Sequence, residues 1–241
     1  MDLGIAGKVA LVTAASKGLG RATAMALAGE GVKLAICARG EDALRATEAE
    51  LSQLTDVLAI VADVTEPAAP AALVAQAVER FGALDILVAN AGGPPPARSL
   101  DLDDQAIWDG LNLSFVSSAR LVREAIPHMR ARGWGRVCLL TSSSIKQPIP
   151  TLSMSNAART GLWAWAKTAA TDVFEDGITI NTVCPGLHDT DRIKQLSLGE
   201  GVPVGDPADF GKVVAFVCSK PAAFMSGAAI LLDGARYAGL F

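Results

Sequence analysis

Residues 8–21 read KVALVTAASKGLGR, a short apolar run that leads directly into a turn with two glycines. The run is rich in Val, Leu and Ala, which is typical of a strand buried on both faces. Glycines in a turn from a strand to a helix let the backbone approach a phosphate, and the amino end of the helix offers unpaired N–H groups and a positive dipole. The stretch therefore predicts a first strand, a phosphate-binding loop and a helix, with an ordinary glycine-rich turn as the alternative.

The same alternation of short apolar runs and longer helical patterns continues along the chain. It predicts an α/β fold with a doubly wound parallel sheet, a Rossmann fold of about seven strands with helices on both faces. We expect residues 1–241 to form a single domain. The predicted strands are residues 8–14, 33–38, 57–61, 86–89, 136–140, 179–183 and 229–232. The predicted helices include residues 19–29, 41–54, 71–81, 104–129 and 152–174.

Composition excludes several classes of protein. Hydrophobic residues make up 51% of the chain and charged residues 19%, a balance that suits a large buried sheet and is opposite to that of disorder. The formal net charge of −4 favours no basic face, so we expect no nucleic-acid partner. Apolar runs fall short of the roughly 18 residues that span a bilayer, and the amino terminus lacks the basic start of a signal peptide. We therefore predict a cytoplasmic protein with no membrane partner.

The four cysteines are scattered and form no CxxC pair. They are Cys37, Cys138, Cys184 and Cys218. Three of them lie in apolar, strand-like runs, so we predict buried, reduced thiols rather than disulfides or metal ligands, and no metal site.

Short motifs follow the ends of successive predicted strands. Asp63-Val64 follows the third strand, Asn90-Ala91-Gly92 the fourth and Pro185-Gly186 the sixth, with Thr190 a little further on. Together with the loop at residues 13–20, their order and spacing resemble the short-chain dehydrogenase/reductase family over almost the whole chain. Within that family, the chain most resembles the 3-oxoacyl-carrier-protein reductase branch.

The resemblance implies a nicotinamide cofactor bound along these motifs. In relatives, the phosphate loop holds the pyrophosphate, the position of Asp63-Val64 contacts the adenine and that of Thr190 contacts the nicotinamide amide. The implied cofactor-binding residues are Thr13, Ser16, Lys17, Gly18, Leu19, Gly20, Arg39, Asp63, Val64, Asn90, Ala91, Gly92, Pro185, Gly186 and Thr190. The family loop reads TGxxxGxG, and Ala14 stands at its first glycine. Because alanine disfavours positive φ, we expect a negative φ at Ala14.

Two cations bear on which nicotinamide cofactor is bound. NAD-preferring relatives usually carry an acid at the end of the second strand, to bond the ribose 2′-hydroxyl. Here the strand leads into Arg39 with no acid before Glu41, and Lys17 lies in the phosphate loop. Cations beside the adenosine ribose suit a 2′-phosphate, because charge-assisted bonds to phosphate are strong. We therefore predict NADP(H) in preference to NAD(H), with two solvated surface cations as the alternative.

The catalytic pattern of the family is incomplete. Relatives reduce carbonyls with Ser, Tyr and Lys, the last two as YxxxK near the start of the fifth helix. Ser142 lies at the family's spacing, and Asn112 matches an asparagine that orders a proton-relay water. However, Ser155 stands at the tyrosine position and Arg159 at the lysine position. The chain's one tyrosine is Tyr237, so no shift of the alignment supplies another.

This loss changes the proton chemistry. A serine hydroxyl is a much weaker acid than a phenol, and an efficient proton donor has a pKa near the working pH. Arg159 keeps a charge that suits ribose hydroxyls but relays no proton. His188, Lys146 and Tyr237 from a neighbouring subunit are alternative donors. A further interpretation is a polar cradle for a carbonyl or carboxylate, formed by Asn112, Ser142, Ser155 and Arg159; a worn-out site is the alternative.

The resemblance implies an NADP(H)-dependent oxidoreductase acting on a small-molecule carbonyl or secondary alcohol, with an acyl thioester, specifically a 3-oxoacyl thioester, as a candidate substrate. The alternative is a catalytically weak or inactive nucleotide-binding protein that acts as a sensor or subunit partner. The predicted helix at residues 152–174 carries Leu162, Trp163, Trp165 and Ala166 around more than one face. Relatives use this helix in a dimer interface, so we expect a homodimer or homotetramer.

Overall fold

The computed structural model describes residues 1–199 and 201–240, and these contain one seven-stranded sheet of order β3-β2-β1-β4-β5-β6-β7. All of its strand pairs are parallel. The strands are Val9–Thr13 (β1), Lys33–Ala38 (β2), Val57–Val61 (β3), Ile86–Ala89 (β4), Gly135–Leu140 (β5), Ile178–Pro185 (β6) and Ala229–Leu232 (β7). The predicted doubly wound α/β fold is confirmed.

Helices cover both faces of this sheet. They are Gly18–Gly29 (α1), Glu41–Leu51 (α2), Ala69–Phe81 (α3), Asp104–Leu111 (α4), Ser117–Arg130 (α5), Ser153–Val173 (α6), Asp191–Gln195 (α7) and Pro207–Val217 (α8). Buried residues of α1, α2 and α8 form one core with the sheet, and those of α3, α5 and α6 form the other. In the described ranges, no helix is both long and apolar enough to cross a membrane.

Successive residues of each strand point into the two opposite cores. On β1, Ala10 and Val12 lie in the core that contains α1 and α8, whereas Leu11 lies in the core that contains α3, α5 and α6. This alternation follows from the two-residue period of a strand. Because both faces are covered, every position of β1 is buried, which explains the continuous apolar run in the sequence.

The long helix predicted over residues 104–129 is divided in the structure. A π-helical turn, Asn112–Val116, separates α4 from α5, and the Ser117 N–H bonds the Asn112 carbonyl five residues earlier. Such turns insert one residue and occur frequently at functional sites. The apolar periodicity continues across the insertion, so the division could not be found from the pattern.

Helix α8 was absent from the predicted helices, although its start carries a recognisable signal. Asp206 is the N-cap and accepts a hydrogen bond from the Ala208 N–H, and Pro207 occupies the first turn. This combination of an Asp cap and an early proline is a typical helix start.

The four cysteines are buried and unpaired, as predicted. Burial raises the pKa of the Cys37 thiol to about 12, so this group stays protonated at neutral pH. Cys138 and Cys184 also have raised pKa values, the first through a hydrogen bond with Cys218 and burial, the second through burial. These thiols behave as small apolar core residues.

Candidate cofactor and substrate cleft

The strand order reverses at β1, which pairs with β2 on one side and β4 on the other. In open α/β sheets, ligands bind outside the carboxyl ends of the strands at such a point. A cavity of about 880 Å³ lies there, a size in the usual range for cofactor and ligand sites. Loops after β1, β2, β3, β4, β5 and β6 all contribute to its lining.

Most of the predicted site residues come together in this one cavity. Those that line it are Ser16, Lys17, Gly18, Leu19, Arg39, Asp63, Val64, Asn90, Ala91, Gly92, Ser142, Ser155, Arg159, Pro185, Gly186 and Thr190. Thr13, Gly20 and Asn112 are outside the described lining. They act on the cavity indirectly, through the contacts given below.

The start of α1 provides an anion site. The helix begins at Gly18, and in the described structure its N-cap residue, Lys17, makes no side-chain hydrogen bond to the first turn. The first N–H groups of the helix therefore remain available to an external acceptor. Gly20 makes the turn compact, because a Cβ there would collide with the Ala14 carbonyl oxygen and lie 2.8 Å from Nδ2 of Asn90.

The expected negative φ at Ala14 is wrong, since this residue has φ +49°. The left-handed conformation costs a non-glycine residue roughly 1–2 kcal/mol. Tertiary contacts hold it in place: the Ala15 N–H bonds the Cys37 carbonyl at 3.0 Å, and Gly20 packs on the carbonyl of Ala14. The loop thus keeps the shape that its glycine counterpart would have.

Thr13 joins the phosphate loop to the loop after β4. Its hydroxyl donates to the Asn90 carbonyl at 2.7 Å and accepts from the Asn90 N–H at 2.9 Å. The residue is buried. Thr13 was predicted to bind the cofactor directly, but its described contacts show a residue that positions Asn90 from beneath the cavity.

At the adenosine end, the two predicted cations have different surroundings. Nη1 of Arg39 lies 3.6 Å from Oδ2 of Asp63. The other carboxylate oxygen, Oδ1, accepts bonds from the Thr65 N–H and hydroxyl at 2.9 and 2.7 Å. Burial acts to raise the pKa of Asp63, but the Thr65 bonds and the Arg39 charge outweigh it and lower that pKa. Asp63 is therefore ionised and offsets the charge of Arg39. Lys17 is exposed.

At the opposite end, Ser142, Ser155 and Arg159 share the cavity wall. Ser155 and Arg159 lie one turn apart on α6 and so face the same side. Nη1 of Arg159 donates to the carbonyls of Leu140 and Thr141, at 2.8 and 3.2 Å. Burial, and after it the charge of Arg192, lower the pKa of Arg159 to about 10. Arg159 therefore holds the end of β5, just before Ser142.

Asn112 was predicted as a member of the polar cradle, but it does not line the cavity with the other three residues. It lies in the π-helical turn, where its Nδ2 donates to the Thr65 carbonyl at 3.0 Å and its Oδ1 accepts from Arg120 at 3.4 Å. The neighbouring Leu113 lines the cavity instead. Asn112 thus connects the turn to the loop after β3, and the cradle reduces to Ser142, Ser155 and Arg159.

The structure separates the three substitute proton donors. His188 is buried edge-on against Phe210, with 5.1 Å between ring centroids, and burial lowers its pKa, so it is neutral at pH 7. Nζ of Lys146 lies 4.4 Å from the centroid of the Trp163 ring, outside the described lining. Tyr237 lines the cavity of its own subunit.

Arg192 is a cavity residue that the sequence analysis missed. It lies on α7, and its Nη2 donates to the Pro94 carbonyl at 2.8 Å across the cavity. Gly93 makes room for it, since a Cβ there would lie 2.9 Å from the same nitrogen. Arg192 follows Thr190 by two residues, but a contact with a residue 98 positions away leaves no local signal in the sequence.

A family model described as short chain dehydrogenase matches residues 8–201. The chain is 31% identical to the Homo sapiens Dehydrogenase/reductase SDR family member 4, covering 95% of this chain and 87% of that protein. It is 30% identical to the 3-oxoacyl-[acyl-carrier-protein] reductase FabG of Vibrio cholerae, covering 98% and 99%. A solved structure of L-sorbose reductase from Gluconobacter frateurii, complexed with NADPH and L-sorbose, superposes with TM-score 0.93 at 30% identity and covers all of both chains.

Proposed function

This chain belongs to the short chain dehydrogenase family, and we propose that it is an NADP(H)-dependent oxidoreductase that interconverts a carbonyl and a secondary alcohol. One observation carries the proposal: a single cavity brings the phosphate loop together with Ser142 and with the Pro185-Gly186 and Thr190 positions. A dinucleotide that extends from the phosphate loop toward Thr190 would therefore end beside the Ser142 hydroxyl.

The residues present fit a nicotinamide dinucleotide. The uncapped first turn of α1 suits its pyrophosphate, and Gly20 keeps the loop compact beneath it. Asp63-Val64 would bind the adenine, while Asn90-Ala91-Gly92 and Thr190 would hold the ribose and amide at the other end. When bound, the dinucleotide supplies or accepts the hydride.

The choice of NADP(H) rests on Lys17 and Arg39. Lys17 is exposed at the mouth of the loop, and Arg39 is 75% exposed at the end of β2, so both can reach a 2′-phosphate. Because Arg39 forms an ion pair with Asp63, we expect Lys17 to contribute more than Arg39 to the binding of a 2′-phosphate. The L-sorbose reductase that superposes on this chain was solved with NADPH, which supports the same preference. NAD(H) is the less favoured cofactor.

Ser142 is the group best placed to bind the substrate carbonyl. Its oxygen accepts from the Ser144 N–H at 3.1 Å, so its own hydrogen can point into the cavity. Arg159 stabilises the carbonyls just before Ser142 and thereby positions it. The substituted Ser155 is a poor acid, so the proton on the product oxygen comes from water or from Tyr237, and turnover is slow.

The candidate substrate remains a 3-oxoacyl thioester, since a relative of nearly equal length carries the name of a reductase for that class. The second candidate function is nucleotide binding with little turnover, as a sensor or subunit partner. One contact favours this second function: Nη1 of Arg159 donates to backbone carbonyls rather than into the cavity.

The test is substrate-dependent oxidation of NADPH and of NADH with 3-oxoacyl thioesters, diketones and quinones. We expect consumption of NADPH, weaker consumption of NADH, and loss of both in a Ser142→Ala variant. A Ser143→Ala variant, altered at the neighbouring cavity residue, is the matched control. Tight NADPH binding without consumption for any carbonyl would favour the sensor function.

We also propose a homodimer or homotetramer in the cytoplasm. Leu162 and Ala166 are buried in the core of their own subunit, and Trp165 packs edge-on against Phe115 at 6.4 Å. Much of the apolar surface of α6 is therefore covered within one chain. Trp108 on α4 is 67% exposed and supplies apolar surface that a second copy would cover. Sedimentation equilibrium measures the assembly directly.

A further inference from the structure

Two arginines line the substrate end of the cavity from different helices. Arg159 comes from α6 and Arg192 from α7. Nη1 of Arg159 bonds two carbonyls at the end of β5, and Nη2 of Arg192 bonds the Pro94 carbonyl. A guanidinium has five N–H donors, so these contacts leave further donors on both side chains.

The charges of these arginines are not neutralised by the described residues. Neither forms an ion pair there, and two of the three aspartates that line the cavity have other partners. Asp63 pairs with Arg39, Asp233 accepts the backbone N–H groups of Ala235 and Tyr237, and Asp191 is exposed.

The two cations also act on each other. Arg159 is only 7% exposed, and after burial itself the charge of Arg192 is the next cause of its lowered pKa. A buried charge is costly unless it is paired, and a second cation nearby increases that cost. A carboxylate between the two guanidinium groups would remove both penalties and would accept bonds in the geometry that guanidinium favours.

The cofactor's pyrophosphate is poorly placed to be this anion. Its site is the start of α1, which follows β1, whereas Arg159 bonds the end of β5, two strands further along the sheet. At the usual spacing between strands, this separation is about 10 Å. Arg159 thus lies away from the phosphate loop. Arg192 follows Thr190, whose Cγ2 would lie 3.7 Å from a Cβ on Gly18, so the effect of Arg192 on NADP⁺ binding is measured in the test below.

Six apolar residues of the neighbouring loops and helices also line the cavity, beside polar ones such as Gln147 and Gln195. The six are Leu113, Ile149, Leu152, Ile193, Leu196 and Leu198. Ser155 adds space, because a hydroxymethyl group occupies less volume than the phenol of the family pattern. The occupant therefore needs a carboxylate at one end, an apolar body, and a carbonyl that reaches Ser142.

We propose that the substrate is a free oxo acid with an apolar body, and that Arg159 and Arg192 bind its carboxylate. This inference rests on the proposed oxidoreductase function and narrows it, since a thioester carries no carboxylate next to its carbonyl. Arg192 supplies the accessible half of the clamp, and Arg159 supplies the buried half.

The test compares matched acids and amides that differ only in charge. The probes are 2-oxo-4-phenylbutanoate and 3-oxooctanoate, each with its primary amide, titrated calorimetrically into the full chain saturated with NADP⁺ so that no reduction occurs. Charge-assisted bonds to a carboxylate should make at least one acid bind about tenfold or more tightly than its amide. An Arg192→Met variant should lose this ratio while its affinity for the amide stays the same.

The matched control is Lys194→Met, which removes an exposed cation of α7 that pairs with Asp189 at 2.9 Å. It should keep the wild-type ratio. Equal binding of every acid and its amide, or binding of none, overturns the proposal. So does an Arg192→Met variant that binds NADP⁺ more weakly but keeps the ratio, because the arginine would then serve the cofactor.

The oxidoreductase function and the carboxylate site are overturned by different results. Selective acid binding without NADPH consumption for any carbonyl would overturn the oxidoreductase function and leave the anion site standing. Consumption of NADPH with neutral ketones, without preference for acids, would leave the oxidoreductase standing and overturn the anion site. Arg159 needs no substitution in either experiment, so a folding defect at that buried residue does not affect the result.

Discussion

The two ends of the cleft both depart from the family pattern, but with different consequences. In the phosphate loop, Ala14 replaces a glycine and the backbone nevertheless adopts φ +49°. At the start of α6, the backbone is an ordinary helix, and Ser155 and Arg159 stand where the family resemblance implies a tyrosine and a lysine. The alanine in the phosphate loop adds strain but keeps the backbone conformation. The two residues of α6 also keep the backbone conformation, but they change the side-chain chemistry.

The difference follows from which atoms do the work. Phosphate binding uses backbone N–H groups, which almost every residue type supplies once the chain is bent correctly. Proton donation uses a side chain whose pKa must lie near the working pH, and serine cannot replace a phenol in that role. A backbone site therefore tolerates substitution at a small energetic cost, whereas substitution at a side-chain site slows the proton transfer.

The largest expected effect comes from substituting the two α6 residues, Ser155 and Arg159. Ser155→Tyr combined with Arg159→Lys restores the phenol and the ammonium group, and general acid catalysis contributes roughly 10²–10⁴-fold. We expect kcat for a carbonyl substrate to rise by about 10²-fold or more. Steady-state kinetics at saturating NADPH measure it. The control is Ser155→Phe with Arg159→Lys, which adds the ring without its hydroxyl; an equal gain there would contradict a role for the phenol.

A second variant should break the phosphate loop. Gly20→Ala places a Cβ against the Ala14 carbonyl and 2.8 Å from Nδ2 of Asn90, in a turn that cannot move without losing its shape. Overpacking of this kind costs about 1–3 kcal/mol, so the Kd for NADPH should rise by about tenfold to a hundredfold. Fluorescence titration with NADPH measures it. Gly29→Ala, at the far end of α1 with nothing within 4 Å of the new Cβ, should leave the Kd unchanged.

A third variant should remove the backbone strain at residue 14 and leave NADPH binding intact. Ala14→Gly relieves the positive φ and should raise the free energy of unfolding by about 1 kcal/mol. The Kd for NADPH should stay within about twofold, since the backbone keeps its course. Urea unfolding and cofactor titration measure the two quantities. Ala15→Gly, at a neighbouring buried position, should destabilise the protein instead.

The smallest effect concerns His188, which is buried against Phe210 at the wall of the cavity. Burial lowers its pKa below 6.5, so the unfolded chain takes up the proton first as the pH falls. The stability that depends on this residue is complete above about pH 6.5 and is lost as the pH falls toward the folded pKa. Urea unfolding at pH 7, 6 and 5 should show a decline that is shallower in His188→Gln. An unchanged slope in His188→Gln would argue against burial of a neutral ring.

The sheet and most of the cleft could be predicted from the sequence. The bounds predicted for β2, β3, β4 and β7 coincide with the observed ones, because each strand is a continuous apolar run between turn residues. The loops at the carboxyl ends of parallel strands must meet at one edge. Motifs placed after those strands, such as Asn90-Ala91-Gly92 and Pro185-Gly186, therefore line one cavity.

The remaining features depend on contacts between residues far apart in the chain. The positive φ of Ala14 is held partly by Gly20 and by the neighbouring bond to Cys37, against the preference of alanine itself. His188, an alternative donor in the sequence, is buried against Phe210. Tyr237 lines the cavity of its own subunit because the tail after β7 folds back over it.

The sequence by itself determined the order of strands and helices along the chain, the glycine-containing turn after the first strand and the count of one tyrosine, since each is a local pattern or a simple count of residues. Only the tertiary structure decided what the substituted residues do. It directs Arg159 toward the carbonyls of β5 and brings Arg192 across the cavity to Pro94. Charges that are separated in sequence interact once the fold brings them together in a cavity of low dielectric, and no local pattern records that encounter.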